Sequence, residues 1–240
     1  MKKIYRFITN FDIDGNLIKI TDKKLVHQMV NVLRLRNSES VIIGKGDCID
    51  ILAKILKTEK DIVFLELQKV LKNENEPQIK VNLFCSILKK ENFELVAQKA
   101  VEAGVFTITP IITERTIKTK INFERVRKII KEATEQSGRG IVPQLNDIIS
   151  FEKIILMRNN EGTSVLLDPY GEKFLLPGSG DKVGFFSIFI GPEGGWTERE
   201  IKLAKDTGFK IISLGPLIMR SETSAIIATF LFAHSYRPNS

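Results

Sequence analysis

Two glycine-marked turns follow one another closely between residues 185 and 225, and they are where this sequence looks equipped for chemistry. The first is Gly191-Pro192-Glu193-Gly194-Gly195. Three glycines and a proline cannot continue a strand or open a helix, so the main chain turns sharply there and lies bare. The second is Gly215-Pro216-Leu217-Ile218-Met219-Arg220. Bare main-chain N–H and C=O groups can hydrogen-bond a heterocyclic base. Neither turn has the Gly-Lys-Ser/Thr ending of a phosphate-binding loop, and Glu193 would repel a phosphate. A cationic or neutral nucleoside suits such a pocket better.

The flanking residues say how the turns are held. Phe185 to Ile190 is a short apolar run ended by a breaker, the pattern of a buried strand. Thr197-Glu198-Arg199-Glu200 spells a capping box, in which Thr197 caps the Glu200 amide and the Glu200 side chain answers back. Strand, bare loop and capped helix then repeat: Lys210 to Leu214 is a strand, and Ser221-Glu222-Thr223 starts the last helix. Any one glycine turn is most often an ordinary βα connection. Two of them at adjacent strand ends form a crevice for a small ligand in an α/β sheet.

Residues 1 to about 70 read as small and β-rich, with short strands, a turn at Asp14-Gly15 and one helix from Thr21 to Leu35. Lys72 to Pro77 is polar and proline-terminated and is expected to be a linker between a domain over 1–71 and another over 78–240. Beyond it, strands and helices alternate. Ile79 to Ile87, Val105 to Ile112 and Ser164 to Asp168 read as buried strands. Glu91 to Gly104 and Asn122 to Ser137 read as helices, with Phe93, Val96, Ala97, Ala100 and Val101 inward on the first and Val126, Ile129, Ile130 and Ala133 on the second. That alternation predicts a mostly parallel sheet covered on both faces.

Composition sets the bounds. The net charge of +7 points toward a polyanionic partner, although a chain rich in lysine, isoleucine and asparagine also arises from base composition alone. Cys48 and Cys85 are far apart, and His27 and His234 stand alone, so no metal-ligand spacing is present. The N-terminus has no signal-peptide core, and no apolar run reaches the ~20 residues that span a bilayer. A cytoplasmic protein without metal or membrane is the expectation.

The paired loops resemble the cofactor-binding motifs of the SPOUT class of RNA methyltransferases. Within that class the chain resembles the ribosomal RNA small-subunit methyltransferase E family, whose pattern runs close to Gly-Pro-Glu-Gly-Gly, then Leu-Gly, then Leu-Arg-x-Glu-Thr-Ala. Here the last part is Met219-Arg220-Ser221-Glu222-Thr223-Ser224, with serine for the closing alanine, and Leu217 stands where relatives often carry arginine. Further similarity lies in His27 to Arg34, in Arg6-Phe7 and in Glu135-Gln136-Ser137-Gly138-Arg139.

The resemblance implies an α/β C-terminal domain with a deep trefoil knot, a small N-terminal PUA-like β-barrel that binds RNA, and a homodimer. It implies S-adenosyl-L-methionine as cofactor, held by Leu167, Asp168 and Pro169, by Ile190, Gly191, Pro192, Glu193, Gly194 and Gly195, and by Leu214, Gly215, Leu217, Ile218, Met219 and Thr223. The reaction implied is methylation of uridine N3 in 16S rRNA of the 30S subunit. That nitrogen carries a proton and attacks poorly until it is lost, so a base, or a cation stabilising the resulting anion, is needed. Arg220 and Arg139 are the cationic candidates, with Glu222 and Gln136 beside them. Arg6, Arg34, Arg36 and Arg115 are expected at RNA phosphates, which position rather than read the substrate. Two alternatives stand: a related enzyme with another RNA target, and a catalytically silent rRNA-binding assembly factor.

Overall fold

A computed structural model of the protein describes residues 4–157, 162–173 and 184–235. The chain divides into two compact units, one running through Glu76 and including Thr134–Val142, the other containing Pro77–Ala133 and the chain from Pro143 onward.

The first unit contains β1 (Tyr5–Ile8), β2 (Asp12–Asp14), β3 (Leu17–Ile20), α1 (Lys23–His27), β4 (Ser40–Gly44), β5 (Ile49–Glu59) and β6 (Ile62–Lys72). They form one mixed sheet in the order β1-β4-β5-β6-β3-β2, antiparallel except for the β1–β4 pair. Asp14-Gly15 turns as expected, with Gly15 at φ 56°. Asp22 caps α1 by accepting from the Lys24 and Leu25 amides. The helix then widens into one π-type turn over Gln28–Val32. Ile18, Ile20, Val41, Ile43, Ala53 and Leu65 are fully buried and, with Phe7 and Met29, make this unit's core.

Polar side chains hold a distant segment to this sheet. Arg6 was expected at RNA, but its side chain is 8% exposed and forms a fork to Asp50, with Nη2 2.8 Å from Oδ1 and Nε 3.2 Å from Oδ2. Its Nη1 donates to the Thr134 carbonyl at 3.3 Å. The Ile8 amide donates to Glu135 Oε1 at 2.8 Å. Arg139 is 4% exposed and its Nη2 lies 2.6 Å from Glu76 Oε2. Asn73 Nδ2 donates both to Asp50 Oδ2 and to the Gly138 carbonyl. Residues 72–77 are therefore more than a spacer, because Asn73 and Glu76 grip the segment that follows Thr134.

The second unit contains β7 (Lys80–Ser86), α2 (Lys90–Glu102), β8 (Thr107–Ile112), most of α3 (Phe123–Ser137), β9 (Gln144–Leu145), β10 (Ile149–Ser150), α4 (Phe151–Met157), β11 (Thr163–Lys173), β12 (Phe185–Ile190), α5 (Glu198–Asp206), β13 (Lys210–Ser213) and α6 (Ser221–Ala233). The sheet runs β10-β8-β7-β12-β11-β13, with β9 beside β8, and every described pairing is parallel. Both faces are covered, which a parallel sheet requires. On one face Phe186 packs edge-on against Phe232 of α6, 4.6 Å between centroids. On the other, Phe189 meets Phe84, Phe151 and Phe209. The inward residues expected on α2 and α3 are all buried.

Candidate functional site

Register places three strand ends side by side: Leu167 of β11 lies opposite Ile190 of β12 and opposite Ile212 of β13. The loops leaving those ends enclose a cleft of about 850 Å³, within the ordinary range for a small-molecule site. Leu167 to Tyr170 form one wall, Ile190 to Trp196 the second, and Ser213, Leu214 and Leu217 to Glu222 the third.

The β12 loop is built as its sequence suggests and is held by residues that the sequence reading passed over. Gly195 takes φ 69° and donates its amide to the Pro192 carbonyl at 2.9 Å, closing a tight turn. At Gly191 a Cβ would lie 3.0–3.3 Å from the Trp196 indole, so the loop folds flat on that ring only because no side chain intervenes. Trp196 is 6% exposed and its Nε1 donates to the Leu167 carbonyl at 2.9 Å, tying the second wall to the first. It is the chain's one tryptophan and follows directly on the glycine motif; that placement was the available signal.

Glu193 Oε1 accepts from the Lys89 amide at 3.1 Å, at the start of α2. A carboxylate there suits the positive helix end. The capping box is formed, with the Thr197 amide on Glu200 Oε2 at 2.9 Å and the Glu200 amide on Thr197 Oγ1 at 3.3 Å. The other Glu200 oxygen accepts from the Glu114 amide at 2.9 Å.

The first wall bulges. Between Leu167 and Glu172 the β11–β13 register slips, and, of the extra residues, Asp168, Pro169 and Tyr170 line the cleft. Asp168 Oδ1 accepts from the Tyr170 amide at 2.9 Å, a local turn that fixes the bulge. Gly171 lies directly on β13: a Cβ there would stand 2.6–2.8 Å from the main chain of Ile211 and Ile212. Tyr170 is 90% exposed at the rim.

Arg220 precedes α6 with an extended backbone, is exposed, and lines the cleft. Glu222 in the first turn of α6 is 8% exposed, and its Oε2 is buried with no hydrogen-bond partner among the described residues. An unsatisfied buried carboxylate oxygen costs stability, and this one belongs to a residue of the cleft wall. Beneath lies Cys85, whose thiol burial pushes well above its usual range, with Glu193 and Glu222 adding to the effect. It stays neutral. The lining carries Asp168, Glu193, Glu198 and Glu222 against Lys89, Arg115 and Arg220, which suits a ligand bearing charges of both signs.

Thirteen of the fifteen expected cofactor contacts line the cleft; Gly215 and the exposed Thr223 do not. Of the four expected catalytic residues Arg220 and Glu222 line it, whereas Gln136 and Arg139 belong to the other unit and Arg139 is engaged by Glu76. Arg34 and Arg36 are exposed on the first unit. Arg115, expected at RNA, donates Nη1 to the Gly194 carbonyl at 2.9 Å and to the Trp196 carbonyl at 3.2 Å. Sequence reading gave no role to Tyr170, Gly171, Lys89 or Asn92. Among the described residues no cluster of three or more metal-ligating side chains occurs, and no helix is long and apolar enough to cross a membrane.

The RNA methyltransferase domain profile matches residues 74–233. Among curated proteins, ribosomal RNA small subunit methyltransferase E 2 of Borreliella burgdorferi is 32% identical over 91% of each chain. Among solved structures, a ribosomal RNA small subunit methyltransferase E from Neisseria gonorrhoeae bound to S-adenosyl methionine superposes with a TM-score of 0.86 at 28% identity, covering 98% of both chains. A Legionella pneumophila protein in complex with the bound cofactor SAM gives 0.85 at 30% identity, covering 96% of this chain and 97% of that one.

Proposed function

The chain belongs to the ribosomal RNA small subunit methyltransferase E family of RNA methyltransferases, and from that premise we propose that it methylates N3 of a specific uridine in 16S rRNA of the 30S subunit, with S-adenosyl-L-methionine as donor. The observation that carries the reading is the three-walled cleft, in which bare glycine loops meet the buried, unsatisfied Oε2 of Glu222.

The residues present fit that cofactor. Gly191 folded on Trp196 leaves the β12 loop's main chain facing the cleft without side chains, as close approach to an adenosine requires. Met219 and Leu217 supply apolar wall, and the carboxylates of Asp168 and Glu222 favour a cationic centre. When bound, the cofactor supplies an electrophilic methyl group. The chain's own contribution is to position and to manage charge. Arg220, exposed at the cleft and always protonated, stabilises the oxygens of a deprotonated uracil ring. Glu222 has an oxygen available to accept a hydrogen bond or the departing proton. Arg139 is assigned to structure rather than chemistry, because it is committed to Glu76, whereas the exposed Gln136 keeps its place among the candidates.

The same reading makes the C-terminal sheet a deep trefoil knot and the N-terminal sheet a PUA-like barrel that grips RNA through Arg34 and Arg36. It also makes the working form a cytoplasmic homodimer. The half-exposed Phe230 on the apolar helix α6 supports a second copy there. Sequencing of 16S rRNA from a deletion strain tests the whole: one 3-methyluridine is expected to vanish and to return with the wild-type gene but not with Arg220→Ala. Intact rRNA with an altered tRNA would overturn it.

A further inference from the structure

Arg115 holds the cleft with one edge of its guanidinium and leaves the other open. Its loop, between β8 and α3, is pinned from below. Thr116 Oγ1 accepts from the Thr113 amide at 2.9 Å and pairs with Ser86 Oγ at 2.8 Å. The Glu114 amide is bound by the buried Glu200 carboxylate at 2.9 Å. From this base Arg115 Nη1 reaches the Gly194 and Trp196 carbonyls, at the C-terminal end of the second cleft wall. No acceptor among the described residues engages Nε or Nη2, and the side chain is exposed. Nε and Nη2 form the flat two-donor edge that matches a phosphate. Beyond Arg115 the loop offers exposed Lys118 and Lys120, which extend the positive field, while the Glu114 carboxylate is turned to Thr197 Oγ1 at 3.2 Å.

We propose that Arg115 couples the two substrates: an RNA backbone phosphate takes the Nε–Nη2 edge while Nη1 keeps the Gly191–Trp196 wall in its cofactor-holding shape. This rests on the methyltransferase reading and adds to it a thermodynamic link. A long side chain that one ligand has fixed need not be ordered again for the other, so each ligand tightens the other. Linkage makes the two enhancements equal.

The test uses the full-length protein, S-adenosylhomocysteine as a non-reacting cofactor and deproteinised 16S rRNA lacking the modification. Each ligand is titrated alone and with the other saturating, for wild type, Arg115→Lys and Arg115→Ala, after thermal melts show that the variants are folded. In wild type the two ligands should tighten each other by about tenfold, within the usual range of coupling. In Arg115→Ala that factor should fall to about one, as in dynamic coupling with the shared group removed. Arg115→Lys, with a point charge instead of a two-edged fork, should keep much of the RNA affinity yet lose most of the coupling. A wild-type factor of one, or a factor unchanged in Arg115→Ala, overturns the proposal. So does a loss of cofactor affinity in Arg115→Ala that is the same with and without RNA and disappears for a decarboxylated analogue, since the cofactor's own carboxylate would then hold the open edge. Absence of S-adenosylhomocysteine binding to the wild type would instead bring down the underlying reading.

Discussion

Two pairs of arginines, one in each unit, are used in opposite ways. In the first, Arg6 and Arg139 are turned inward, 8% and 5% exposed at the side chain, and closed off by Asp50 and Glu76. In the second, Arg115 and Arg220 stand exposed at a cleft one wall of which carries Gly191, Gly194 and Gly195. The first unit is thus held by desolvated charge pairs, where removing one partner strands the other. The cleft is held by close backbone approach, where adding atoms does the damage. An arginine in a motif carries no label saying which use it serves; only its burial and its partners decide.

The contrast can be broken most decisively at Arg139. Replacing it by Met strands the Glu76 carboxylate and should lower stability by about 3 kcal/mol, read as a denaturant midpoint, while cofactor affinity per folded molecule is unchanged. Near-normal stability together with lost methyl transfer would return Arg139 to the chemistry. On the cleft side, Gly191→Ala puts a methyl 3.0–3.3 Å from the Trp196 indole. Calorimetric affinity for the cofactor should fall by about a hundredfold, close to 2.7 kcal/mol, with little change in the first unit. Trp196→Phe keeps an aromatic ring of smaller size and deletes the bond to the Leu167 carbonyl together with part of the indole packing; at least about 1 kcal/mol is at stake, a cofactor weaker by roughly fivefold or more. The smallest effect belongs to the exposed arginines of the first unit. Arg36→Ala should weaken rRNA binding by about threefold and flatten its salt dependence by about one phosphate contact, whereas Arg6→Ala should act on stability before it acts on RNA.

Much of the second unit was legible in the sequence because local signals and tertiary context agree there. The Thr197–Glu200 capping box, the alternation of strands and helices, and the glycine loops all fold as read. The short strands β9 and β10 and helix α4 gave too little periodicity to stand out. The docking of Glu135 to Arg139 was not legible because its partners, Ile8, Asn73 and Glu76, lie 63 to 127 residues away, and a helical face with glutamate, glutamine and arginine reads the same exposed or docked. Gly171 was missed for a related reason. Nothing in Pro169-Tyr170-Gly171 announces that β13, almost forty residues later, will pass within contact of its α-carbon. The Arg115 clamp was hidden likewise, since the carbonyls it binds are about eighty residues downstream.

The docking of residues 134–142 onto the first unit has a consequence for how the protein is made. A nascent chain that has emerged only to Glu76 holds Arg6, Asp50, Asn73 and Glu76 without the Thr134 and Gly138 carbonyls or the Arg139 guanidinium they grip. The N-terminal piece therefore stays incomplete on the translating ribosome until nearly twice its own length has been synthesised. A fragment cloned to end at residue 76 would inherit the same gap permanently.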